Sequence, residues 1–245
     1  MALAVLMLLI VVAAFTPTMY FRPFFGVTDY ATGTRTLPLH LLVHGLLLTA
    51  WFTLLVAQTV LVARGRTAAH MRLGVAGIAV AVGLVATSVL TLARVVTRVQ
   101  SWLPTVGYDA ARVEQYLRDS VLLVVIGGFF ALLCFVVLVA AAVLLRQRAA
   151  THKRLMLIAS LNILAVAAFS PARPVGRVLE PLLGVATPLF FVLACLLALM
   201  WHDFRTQRRV EPATIWGAAV TIVTIVLTPV IAFSVGMDLV HWLGR

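Results

Sequence analysis

Charge is scarce in this chain, and acidic charge is scarcer still. Asp, Glu, Lys and Arg make up 11% of its 245 residues, with 8 acids against 19 bases. A soluble domain needs a far more polar surface, whereas 63% of these residues are hydrophobic and the mean hydropathy is +1.10. A soluble globular fold of this length is excluded. No Asp, Glu or Lys lies well inside an apolar run, which argues against a proton-coupled pump or a voltage sensor, since both need membrane-embedded charge. Cysteine is reduced to Cys134 and Cys195, far apart and inside apolar runs, so they read as small apolar residues and not as a disulfide framework or metal knuckle. No P-loop, GxSxG or suitably flanked GxGxxG is present, and Leu41 occupies the glutamate's place in a would-be HExxH. Residues 2–21 lack the basic lead-in and small-residue cleavage site of a signal peptide and read as a retained first helix.

What the chain does have is long apolar runs separated by short basic breaks, the pattern of an all-α, polytopic membrane protein. Seven transmembrane helices are predicted, at residues 2–21, 37–63, 71–96, 120–145, 154–169, 181–201 and 213–233, forming one domain over 1–245. Asp109 is placed to cap a short amphipathic helix ending near Arg118. The SPARP stretch at 170–174 breaks the chain, and residues 234–245, with Trp242, suit the membrane interface.

The formal charge of +11 does not point to nucleic acid. The bases sit at the ends of apolar runs, whereas a nucleic-acid surface gathers them on one soluble face. With seven spans, one side collects Arg64, Arg66, Arg72, Arg146, Arg148, Lys153, Arg154, Arg205, Arg208 and Arg209 against Asp203 and Glu211. That bias predicts a bacterial inner-membrane protein with a cytoplasmic N-terminus and a periplasmic C-terminus. A local repeat reinforces the layout. RGRTAAHMRL at 64–73 and RQRAATHKRL at 146–155 share Arg, Arg, Ala, His, Arg and Leu in register. The match suggests duplicated helix pairs, two-three and four-five.

Candidate site residues concentrate on helix two. At about 100° per residue, His40, His44, Trp51 and Gln58 fall within roughly 40° of one another. So polar a stripe should face the bundle or a wet cavity, not lipid. Histidines four apart can share one metal ion, or either can ligate haem iron; His241 is a third ligand candidate beside His40 and His44. The plainer alternative is that these histidines bond a neighbouring helix. His70 and His152, the repeat's matched pair, are either haem- or phosphate-contacting groups, with Arg72 and Arg154 beside them for anions, or interfacial residues ending a basic turn. His202 beside Asp203 and Trp201 joins them or anchors the membrane edge. Gly217, Thr221, Thr224 and Thr228 form the small, hydroxyl-bearing face of a close helix contact, and Asn162 is expected to bond across helices.

In LPLHxxxHG (37–45), Trp51, Gln58, the GRxxxHxRLG junction (65–74), HKRLM (152–156) and DFRTQRRVEPATIWG (203–217), the chain resembles a family of uncharacterised bacterial seven-helix inner-membrane proteins. It departs from that family in Met71, where Arg is usual, and in lacking a basic N-terminal lead-in. The resemblance implies a fold and no activity. More loosely, the sequence is similar to b561-type membrane cytochromes, which hold haem between histidines on different helices. Three functions follow: a binding or redox module using haem b or a transition metal, an accessory or scaffold subunit of a larger membrane complex, or a membrane enzyme acting on a lipid or quinone.

Overall fold

A computed structural model describes residues 1–25, 37–169, 178 and 187–243. Among the described residues there are seven helices and no strand. They are α1 (Ala2–Tyr20), α2 (Leu39–Ala63), α3 (Thr67–Trp102), α4 (Ala110–Leu144), α5 (Ala149–Phe169), α6 (Thr187–Gln207) and α7 (Pro212–Leu243). Six of them, all but α5, are long and apolar enough to cross a membrane. The helices therefore suit a multi-pass membrane protein. The breaking stretch expected at 170–174 lies outside the described residues.

Local chemistry explains the boundaries. Pro38 stands in extended conformation at the N-cap of α2, where a residue lacking an N–H loses no helical bond. Gly65, at φ +69°, turns the chain from α2 into α3, a backbone state that L-side chains resist. The Asp109 side chain accepts from the Arg112 N–H at 2.8 Å and so caps α4 as expected. The short helix it starts does not stop near Arg118. A π-turn at Leu117–Val121 carries it into the apolar run, giving one continuous helix. Helix α3 is also longer than the apolar run suggests: its 36 residues span about 54 Å, against a hydrocarbon core of about 30 Å. Its last turns, with Arg94 and Arg98, therefore need not be apolar. Likewise α7 continues past Pro229 to Leu243, where a break was expected after residue 233.

The helices gather into two compact units, Met1–Leu117 with His241–Arg245, and Arg118–Val240. In the first, α2 packs on α1 and α3. The Tyr20 and Thr49 hydroxyls are hydrogen-bonded, and the Met19 sulfur lies against Gly45. The second unit is organised around α5. Arg154, Leu155, Ile158, Ala159, Ser160, Leu161, Asn162, Ile163, Leu164, Ala165 and Ala168 are all buried, so nearly the whole circumference of this helix is enclosed by protein. That enclosure is why α5 can carry Arg154, Ser160 and Asn162. Its partners are α4 and α6, and α7, whose Gly217 sits directly on Ile158. The Asn162 amide donates to the Thr221 hydroxyl at 3.0 Å, and Thr221 donates in turn to the Gly217 carbonyl at 2.9 Å. The small-residue face of α7 and the cross-helix amide are thus located as the sequence suggested.

The matched segments at 64–73 and 146–155 occupy the same place in two hairpins, α2–α3 and α4–α5: a tight basic turn followed by the first turns of the second helix.

Packing at Gly217 is testable. A Cβ there would stand 2.6 Å from Ile158 Cδ1, whereas one at Gly77 of α3 would meet nothing within 4 Å. Gly217→Val should cost about 1–3 kcal/mol by overpacking, read as a lowered melting temperature in detergent. Gly77→Val should leave it nearly unchanged.

Candidate functional site

The polar stripe of α2 lies along its interface with α3. His44 Nδ1 is 3.2 Å from Thr87 Oγ1. That hydroxyl donates to the Gly83 carbonyl at 2.9 Å, so it accepts from His44, whose Nδ1 therefore carries the proton. Trp51 is buried. Gln58 reaches within 4 Å of where a Cβ on Gly74 of α3 would stand, and its Oε1 is buried with no hydrogen-bond partner among the described residues. His40, at the Pro38 end, is half-buried and opens on a cleft of about 670 Å³. Pro38, Leu39, Val43 and Leu90 form the apolar wall of this cleft, and Arg94, Thr97 and Arg98 from the overhanging end of α3 bring charge to it.

Arg94 and Arg98 are not among the candidates read from the sequence, because the apolar run that marks α3 gives out at residue 96. An arginine pair at i, i+4 near a helix end was the available signal, since such spacing puts both on one face. Their charge changes the chemistry open to His40. A bare cation beside two guanidiniums is repelled, whereas a carboxylate or phosphate is attracted. Among the described residues, no group of three His, Cys, Asp or Glu is placed to hold a metal ion. The side chain of His241 lies outside the described residues, so the triad His40, His44 and His241 has two described members.

The repeat's histidines fall in different units, His70 in the first and His152 in the second. His152 Nδ1 lies 2.9 Å from the Ala142 carbonyl. A carbonyl can only accept, so Nδ1 is the protonated nitrogen, and the ring ties the start of α5 to the end of α4. His202 is exposed and stands 3.9 Å from Asp203. Beside it the Arg205 guanidinium lies 5.3 Å from the centre of the Trp201 ring, the amphipathic pairing of a membrane-edge anchor.

The strongest polar constellation is centred on Arg154 and Asp203, which are 1% and 0% exposed. Arg154 Nε donates to both carboxylate oxygens, at 3.1 and 3.0 Å, and Nη2 donates to Oδ1. Nη1 is taken by the Ala150 carbonyl at 3.0 Å. On the far side of the carboxylate, the Thr214 hydroxyl donates to Oδ2 at 2.6 Å and the Glu211 N–H approaches it at 3.4 Å. Gln207 completes the shell once its amide is turned to match its neighbours: in that orientation its carbonyl oxygen accepts from Arg154 Nη2 at 2.8 Å while its amide donates to Glu211. One ion pair thus joins the start of α5, the last turns of α6 and the start of α7. The expectation that α6 ends at residue 201 left Asp203 outside the helix. It runs to Gln207 and carries Asp203 into the core. The turn that follows is tight enough to hold Arg208 at φ 58°. With both carboxylate oxygens and every nitrogen of the guanidinium engaged inside the protein, this network has the chemistry of a fastener, not of a binding site.

Fold and composition together place the chain in the class of all-α proteins with helices suited to several membrane spans. No protein-family model matches the chain, and neither does any curated protein or solved structure.

Removing one member of a buried, hydrogen-bonded ion pair leaves the other charge uncompensated, at a cost of about 3–5 kcal/mol. Asp203→Ala should therefore lower the unfolding midpoint in detergent sharply. The double variant Arg154→Met, Asp203→Leu should recover a good part of the loss, because no orphaned charge remains.

Proposed function

We propose that this chain is a bacterial inner-membrane protein of seven spans in one transmembrane domain, α5 being the seventh, and a member of the seven-helix family it resembles. In this reading its N-terminus is cytoplasmic and its C-terminus periplasmic. Its function is to bind an anionic, largely apolar cofactor in the cleft at the Pro38 end of the α2–α3 hairpin, which then faces the periplasm. The observation that carries this reading is that His40 shares an apolar-walled cleft with Arg94 and Arg98. Haem b fits that chemistry best: a ring nitrogen for iron, cationic groups for two propionates, and aliphatic side chains for the porphyrin edge. A transition metal ion without a porphyrin fits less well, because the arginines oppose a bare cation.

A second reading, an accessory subunit of a larger membrane complex, draws on a different observation. His44 and His152 are each engaged in bonds between helices, as structural histidines are. Absorption spectra of the detergent-purified protein, oxidised and reduced, separate the two. Under the cofactor reading, a Soret band is present or forms on haem addition and is lost in His40→Ala. Haem affinity then falls roughly tenfold for each of Arg94→Ala and Arg98→Ala, the worth of one charge-assisted hydrogen bond. Well-folded protein that takes up neither haem nor metal leaves the accessory reading in its place. A lipid- or quinone-dependent activity lost in the same variants assigns the cleft to an enzyme.

A further inference from the structure

The two matched hairpins treat the same helix face differently. With an offset of 82 residues, Arg72, Leu73 and Ala76 of α3 correspond to Arg154, Leu155 and Ile158 of α5. On α5 this face is closed: Arg154, Leu155 and Ile158 are 1%, 5% and 1% exposed, with the Asp203 carboxylate on the arginine and Gly217 on the isoleucine. On α3, Arg72 and Ala76 are exposed and Leu73 is half-buried. Together with Leu61, Arg66, Ala68 and Ala69 they line a cleft of about 780 Å³ at the α2–α3 turn. Farther along α3, Val75, Ile78 and Val82 are 69%, 49% and 64% exposed. At about 100° per residue these three lie within roughly 60° of one another, with Arg72 about 60° to one side of Val75 and about 120° from Ile78.

We propose that this cleft binds the headgroup of an anionic phospholipid, with its phosphate on Arg66 and Arg72 and its acyl chains along Val75, Ile78 and Val82. The inference rests on the membrane reading above. Three features of the site carry it. Two arginines line one open cleft, and guanidiniums recognise oxyanions. The matching arginine of the other hairpin holds an oxyanion, the Asp203 carboxylate. Exposed apolar side chains begin on the same helix within one turn of Arg72, which serves the chains of a lipid and not a soluble phosphate. A carboxylate from a second copy is poorly supplied, because the acids grouped with these basic turns are Asp203, which is buried, and Glu211, which takes the Gln207 amide.

The test uses full-length protein in nanodiscs of mixed phosphatidylcholine and phosphatidylglycerol, with retained lipid read by native mass spectrometry after release. Wild-type protein should keep phosphatidylglycerol in preference. Arg66→Ala, Arg72→Ala should reduce that preference by about 10- to 30-fold, the effect of two cationic contacts near a headgroup. Arg146→Ala, Arg148→Ala, which removes two exposed arginines from the turn of the other hairpin, should leave it intact. Equal losses in both double variants would mean diffuse electrostatic attraction and overturn the site. So would an unchanged preference in the first variant, or an Arg72-dependent protein adduct in place of lipid. A chain that never enters the nanodisc bilayer would overturn the membrane reading as well, which separates that failure from failure of the lipid site.

Discussion

Hydrocarbon offers no hydrogen bonds, so every polar group on an apolar helix must find its partner within the protein. The second unit meets this constraint around one enclosed helix. Arg154, Ser160 and Asn162 all sit on α5 and all are buried. Each bonds to a backbone oxygen on α5 itself, and Arg154 and Asn162 also reach side chains on α6 and α7 respectively. The Arg154–Asp203 pair bears the greatest part of this load. A guanidinium at 1% exposure is tolerable only opposite a carboxylate, and that requirement places the last turns of α6 and the first turn of α7. Thr214 and the Glu211 N–H then saturate the carboxylate from α7's side.

The first unit answers the same constraint along one interface and has a cleft at each end of it. The middle of the α2 stripe is settled against α3, through the His44–Thr87 bond and the burial of Trp51. At each end of the hairpin arginines border a cleft: Arg94 and Arg98 beside His40, and Arg66 and Arg72 at the turn. A hairpin closed by an internal carboxylate is committed to stability. One that presents arginines next to apolar walls is suited to take anions from outside, and this contrast motivates both binding proposals. It also explains why histidines on comparable helices differ in role. His152 is tied to a carbonyl, whereas His40 lines a cleft with cationic neighbours.

Much of this architecture is legible in the amino-acid order. Apolar run length finds each of the seven helices among the described residues and fixes about half of their ends to within two residues, the others differing by four to ten, because lipid penalises any other use of such segments. The wheel position of His40, His44, Trp51 and Gln58 shows that they share a face, and the cost of polarity in lipid turns that face inward. Asp109 as a cap, Gly217 and Thr221 as a close contact and Asn162 as a cross-helix donor all follow from local chemistry. Helix ends beyond the hydrocarbon are less legible. Arg94, Arg98 and Asp203 look like the charged edges of spans, and hydropathy gives no reason to continue a helix through them.

Amino-acid order alone thus suffices for the class of the protein, the approximate place of the helices among the described residues and the inward side of α2, since these depend on composition and on periods of a few residues. Which partner each polar group meets is a matter of packing. Asp203 lies 49 residues from Arg154 and Thr87 lies 43 from His44, separations at which no helical periodicity links two positions. Only the folded chain brings them together, and only there does an arginine enclosed as a fastener part ways with its repeat counterpart, left open at a cleft.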